Sequence, residues 1–196
     1  VQAGRKFEEL AELEIRTPDY AEIVWRSAIC FQKGNSLNRA NEQLNDYIKY
    51  EERNKLPRGF VAHAKNLMNA GQWKAAMEPL SRCLLEFPDS PMSYEARLMA
   101  AHVKNELGLL DEAIELLDAN MRDFQLTPKS EIYQDCVFTI GQISFHKAEN
   151  IFLATRMQED MPVEEKEKAL TESEALFFQA IAQLSEANSR YDDDPR

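Results

Sequence analysis

The sequence predicts an all-α protein built as a stack of antiparallel helix pairs, and three observations predict it. The first is an internal repeat. Ala64, Gly71, Trp73, Ala76, Met77, Leu80 and Phe87 recur 37 residues later as Ala101, Gly108, Leu110, Ala113, Ile114, Leu117 and Phe124. A period of that size marks stacked supersecondary units, each too small to bury its apolar face alone. The second is punctuation: only 6 Gly and 8 Pro occur, with long stretches lacking both, which suits helices and not a turn-rich β fold. The third is placement, because an X-Pro pair announces the first helix of every hairpin, at Pro18, Pro57, Pro91 and Pro128.

Taken in order, residues 1–16 read as the second helix of a preceding unit, with Phe7, Leu10, Ala11 and Ile15 on one side and acids on the other. Thr17-Pro18 supplies a hydroxyl cap and a proline for the next helix, opening a first unit over 17–56. Its first helix carries Tyr20, Val24, Ala28 and Phe31; its second carries Leu37, Ala40, Leu44, Tyr47 and Ile48. The second unit spans 57–90 and closes on Phe87-Pro88-Asp89-Ser90-Pro91, where Ser90 caps the helix that follows. The third spans 91–127.

The fourth unit, 128–196, departs from the period. Small residues across a hairpin stand 12 apart in the earlier units (Ala28 to Ala40, Ala64 to Ala76, Ala101 to Ala113), but Gly141 and Ala180 are 39 apart. About 27 residues are therefore inserted, and helix formers flank the short break at 159–163. They predict a lengthened hairpin over roughly 147–174 whose first helix reaches about 40 Å. The closing Tyr191-Asp192-Asp193-Asp194-Pro195 repeats the earlier connector, so a further helix is expected beyond it, within a larger repeat protein. The chain opens on Val1 and not on methionine, which leaves room for a removed signal or anchor.

These residues resemble the tetratricopeptide repeat. The marks are the small residue of the first helix (Ala28, Ala64, Ala101, Gly141), the turn pairs Gly71 with Trp73 and Gly108 with Leu110, and the second-helix alanine (Ala40, Ala76, Ala113, Ala180). Asn35 with Leu37 and Ala175 with Phe177 take the turn positions in the outer units, while Asn41 and Asn120 stand where the pattern has apolar residues. The 36-to-37-residue spacing and the Phe-Pro-Asp-Ser-Pro connector look like repeats of bacterial envelope and secretion-associated members. The resemblance implies a right-handed superhelical stack whose first helices line a concave, protein-binding face.

Composition narrows the function. With 44% hydrophobic residues the chain is too apolar for a disordered tail, and no run of apolar residues is long enough to span a membrane. A net charge of −11 without a basic stripe argues against nucleic acid as partner. Cys30, Cys83 and Cys136 are odd in number and far apart, so they read as buried apolar residues and leave the compartment open. His63, His102 and His146 drift along successive first helices, and no phosphate cradle, zinc spacing or calcium loop occurs, so neither cofactor, metal nor enzyme is expected.

A surface is the better candidate. The register of the resembled family puts Trp25, Val61, Leu98 and Phe138 at one groove position. Ile29, Lys65, His102 and Gln142 follow one turn on, then Met68 and Phe145. That stripe is laid out like a peptide groove. The competing reading packs it against neighbouring helices, with Trp25 covered by residues 1–15. Chaperone-tail binding is disfavoured, because the positions that would need Lys and Asn hold Trp25, Ile29, Ala62 and Met99. A second candidate is the long hairpin, a docking or self-association arm using Ile151, Phe152, Met157, Met161 and Leu170 and producing a homo-oligomer; its competing reading is a solvated elongation.

Overall fold

The computed structural model describes residues 1–15, 17–158 and 160–191; the Asp192–Asp194 and Pro195 connector and the Glu159 end of the hairpin break lie outside them. The described residues form nine α-helices and no strand. They are α1 (Gln2–Leu13), α2 (Tyr20–Lys33), α3 (Leu37–Tyr50), α4 (Leu56–Asn69), α5 (Trp73–Glu86), α6 (Met92–Glu106), α7 (Leu110–Arg122), α8 (Glu131–Met157) and α9 (Val163–Arg190). The chain divides into two compact units, Val1–Val103 and Lys104–Arg196.

In the first unit each helix packs on the next from α1 through α5. The repeated small residues explain how closely. Ala28, Ala40, Ala64, Ala76 and Ala101 are all fully buried, at the positions where neighbouring helices need bare backbone. Gly4 and Gly59 extend the pattern: a Cβ on Gly4 would come within 2.9 Å of the Phe31 ring, and one on Gly59 within 2.7 Å of Tyr47. Val24, Phe31, Leu44, Tyr47, Phe60 and Leu80 fill the core around these crossings. The unexpected Asn41 is used as well, since its side-chain oxygen accepts from the Asn66 amide at 2.6 Å, which also donates to the Leu37 carbonyl at 2.8 Å. The buried amide nitrogen of Asn66 on α4 is thus answered from α3, while its side-chain oxygen has no hydrogen-bond partner among the described residues.

In the second unit α7 packs on α8 and α8 on α9. Ala113, Gly141 and Ala180 are buried, and a Cβ on Gly141 would meet Leu184 at 2.6 Å. The lengthened hairpin is present: α8 has 27 residues and α9 has 28. Ser173 donates to the Ala148 carbonyl at 2.8 Å, tying the two helices together well out along the arm. Because α9 runs unbroken through Ala175, that residue is no turn; the reversal has moved to the end of the insertion.

Three hairpin turns share one geometry. Asn35, Gly71 and Gly108 have φ of 53°, 70° and 77°, and the amides of Ser36, Gln72 and Leu109 each bond the carbonyl five residues back at 2.9 Å. This is the Schellman ending, in which a left-handed residue lets orphan carbonyls find donors. Helix starts follow the proline signals less literally. Thr17 does not cap α2; its hydroxyl donates to the Glu14 carbonyl at 2.9 Å and closes the end of α1, while α2 begins at Tyr20. Ser130, not Thr127, caps α8, accepting from the Tyr133 amide at 3.4 Å.

Candidate protein-binding surfaces

Two first helices of the first unit, α2 and α4, are bridged by side chains. Gln32 donates through its side-chain amide to the Ala62 carbonyl at 3.1 Å, and Arg58 reaches Glu22 at 3.0 Å. Glu22 and Arg58 stand 36 residues apart, so a single repeat position carries opposite charges in successive units and bridges them. On α2 the stripe continues through Arg26, Ile29 and Lys33, and on α4 through Ala62, Lys65 and Asn69, at the i, i+4, i+7, i+11 spacing of one helix face.

Behind this face Arg58 is the hub of a polar knot. Its Nε donates to the Tyr47 hydroxyl at 2.5 Å, and the second guanidinium nitrogen that reaches Glu22 also approaches Glu51 at 3.4 Å. The Tyr47 hydroxyl in turn donates to the Lys55 carbonyl at 3.3 Å. Burial pushes the Tyr47 hydroxyl up to about 12 against the opposing pull of Arg58. Burial would also raise the Glu51 carboxyl, but the Glu52 amide, the Tyr47 hydroxyl and Lys55 together leave it below its ordinary value. The Arg58 guanidinium is partly desolvated, yet its bonds to Tyr47 and Glu22 hold it above its ordinary value.

Trp25 belongs to this knot. Its ring lies 5.0 Å from Tyr47, with the Arg58 guanidinium 4.7 Å from its centre, and it packs on the cluster of Ala11, Ala21, Val24 and Tyr47. Val61 and Leu98, at the same register, are only 5% and 8% exposed. In the next row Ile29 and His102 are half-buried and Lys65 is exposed; Met68 is half-buried. The accessible part of the first-unit stripe is thus its second row. In the second unit Phe138 stacks near Tyr191 at 6.3 Å and Phe145 meets Phe177 edge-on at 5.0 Å, both against α9, while Gln142 is exposed.

Along the long hairpin Ile151, Phe152, Met161 and Leu170 are half-buried, with Arg156 over the Phe152 ring at 5.0 Å, and Met157 near the tip is 78% exposed. Sequence reasoning did not single out Phe178 and Ile181, which α9 turns to solvent, or the Arg58 knot. The first had no signal of exposure: Ile181 follows Ala180 as Ile114 follows Ala113 and Met77 follows Ala76, and Phe178 lies outside the repeat marks. The second had one, the Glu22 and Arg58 pair at matched positions. Between α7, α8 and α9 a cavity of about 160 Å³ is lined by Met121, Tyr133, Val137, Gln183 and Tyr191, and the side-chain oxygens of Gln183 and Tyr191 are buried there without a hydrogen-bond partner among the described residues.

His63 is buried on α4, and burial holds its imidazole below the ordinary value against the pull of Glu78. Asn120, also buried, donates to the Cys136 sulfur at 3.6 Å, and that thiol is pushed up to about 11 by burial. Such a group is no ready thiolate nucleophile. Among the described residues no helix is long and apolar enough to cross a membrane.

No family model matches the chain, and no curated protein matches it. Solved structures do. A crystal structure of MamA superposes with a TM-score of 0.60 at 14% identity, covering 96% of this chain and 90% of that one. The structure titled MamA RS-1 ArsTM double mutant gives 0.59 at 13% identity, covering 99% of both chains. At such identities the likeness is one of fold: an all-helical succession of packed helix pairs of the tetratricopeptide-like solenoid kind.

Proposed function

We propose that this protein is a non-catalytic scaffold that binds a protein or peptide segment on the first-helix face of its first unit. The observation that carries the reading is the pairing of α2 with α4. It sets Ile29, Lys65 and Met68 on neighbouring helices, with apolar and charged groups interleaved and the backbone beneath them locked by Gln32 and Arg58. Interleaving of that kind suits a segment that buries a few side chains and satisfies its own polar groups at the edges. Trp25, Val61 and Leu98 act in this reading as the floor that fixes the face and not as contacts. The second-unit positions Phe138, Gln142 and Phe145 continue the register as candidate contacts of their own.

A photo-crosslinking amino acid placed at Ile29 or Lys65 tests the reading, with Lys74 on the exposed side of α5 as the control. Adducts in cells from the first two positions and none from the third are expected. Equal adducts from all three would remove the face. A second reading makes the long hairpin an assembly arm, favoured by the exposure of Met157 at 78% and Val163 at 73% beside its tip. Light scattering showing a monomer mass at every concentration would exclude it.

A further inference from the structure

The charge on the chain is not spread evenly, and the uneven part falls on the proposed face. Over the whole sequence 34 acids face 23 bases. On α2 and α4 the balance is inverted: Arg26, Lys33, Arg58 and Lys65 stand against the single carboxylate of Glu22. That carboxylate is shared, since Arg58 bonds it at 3.0 Å and Arg26 at 3.2 Å. Lys33 and Lys65 form no ion pair with a described residue. The Arg26 side chain is 60% exposed, and Lys33 and Lys65 are exposed. Exposed cations gathered on two helices of an acidic protein attract acidic groups and repel basic ones, a local excess that the sequence, read as having no basic stripe, did not reveal.

Resting on the function proposed above, we propose that the occupant of the α2–α4 face is an acidic segment in extended conformation. Its carboxylates are met by Arg26, Lys33 and Lys65, and its apolar side chains by Ile29 and Met68. The spacing suits such a guest. Arg26 and Lys33 are two helical turns apart, about 10 Å along α2. An extended chain advances about 3.3 Å per residue, so carboxylates three positions apart match that separation, with the residues between them free to reach Ile29. Nucleic acid is not the guest proposed for this face, because a long polyanion is repelled by a chain with net charge −11.

The test is fluorescence anisotropy on the full chain with a labelled peptide of about twelve residues, a glutamate at every third position and leucine or alanine between. Two sister peptides carry glutamine or lysine at the glutamate positions. Saturable binding of the glutamate peptide is expected, at least about tenfold tighter than either sister and weakened by added salt. The double variant Arg26→Glu/Lys65→Glu, with an unchanged melting curve, should erase that preference, and Lys74→Glu on α5 should not. If Lys74→Glu weakens binding equally, bulk charge and not this face is responsible, and the inference falls. If the glutamine peptide binds as well and Ile29→Asp/Met68→Asp abolishes it, the acidic preference falls while segment binding on the face survives. If no peptide responds to any of these substitutions, both fall. Concentration-dependent assembly that Arg26→Glu/Lys65→Glu disperses would make the occupant a second copy and overturn the acidic-segment assignment.

Discussion

Arg58 shows how one residue can serve packing and presentation together. Its guanidinium covers the faces of Trp25 and Tyr47, accepts the company of Glu22 and Glu51, and in doing so ties three helices behind the α2–α4 face. The Glu51 side chain is only 5% exposed, so removing the cation strands a carboxylate. Arg58→Met should therefore cost about 1–3 kcal/mol in urea unfolding, less than a fully buried pair because the guanidinium is partly solvated. His63 gives the acid limb. Its folded value lies below the ordinary 6.5, so the unfolded chain takes up the proton first. The stability it contributes is complete above that value and is lost as the pH falls below it. His63→Gln should flatten the decline in melting temperature on the acid side of 6.5, measured by calorimetry across a pH series.

At the scale of the element, the turns at Asn35, Gly71 and Gly108 were written plainly in the sequence, while the turn read at Ala175 and the caps were not. Gly71 and Gly108 sit where a left-handed residue ends a helix, and Asn35 takes the same conformation at φ 53°. A Cβ on Gly71 would meet nothing within 4 Å, so only backbone strain opposes one. Gly71→Ala should cost about 1 kcal/mol and Asn35→Gly should gain a few tenths to about 1 kcal/mol, both read from denaturant midpoints. If Gly71→Ala is neutral, the Schellman account of these turns is wrong. The X-Pro signals located each helix start within a few residues but misassigned hydroxyls. Thr17 spends its hydroxyl on the Glu14 carbonyl, a contact with the element behind it that no pattern ahead of it could reveal. The stripe proposed for binding was legible as register and illegible as exposure. Trp25, Val61 and Leu98 are equivalent positions, yet about 100° separates successive residues around a helix, so a stripe lies next to the packed side. Which of two adjacent rows faces solvent depends on how tightly Gly59 and the alanines draw the helices together.

For the molecule as a whole, the central consequence is locality. The extensive helix packing within each unit joins elements adjacent in sequence, α1 with α2 through α4 with α5, then α7 with α8 and α8 with α9, while α2 and α4 are linked by the Gln32 and Arg58 side chains. In a chain built this way stability is a sum of unit and neighbour terms, and damage does not spread evenly. Leu117 is fully buried and belongs to the second unit, whereas α2 to α4 belong to the first. Leu117→Ala should cost about 2–4 kcal/mol locally through the cavity it leaves. Hydrogen exchange followed by mass spectrometry should then show faster exchange in peptides from α7, α8 and the nearer part of α9, with those from α2 to α4 unchanged. Uniform acceleration across the chain would mean that the two units unfold as one cooperative body. The same measurement bears on function: a face that binds through α2 and α4 should keep its affinity for the glutamate peptide in Leu117→Ala, because the Arg26, Ile29 and Lys65 surface rests on Arg58 and Gln32 within its own unit. Loss of that affinity would show that recognition needs the second unit as well.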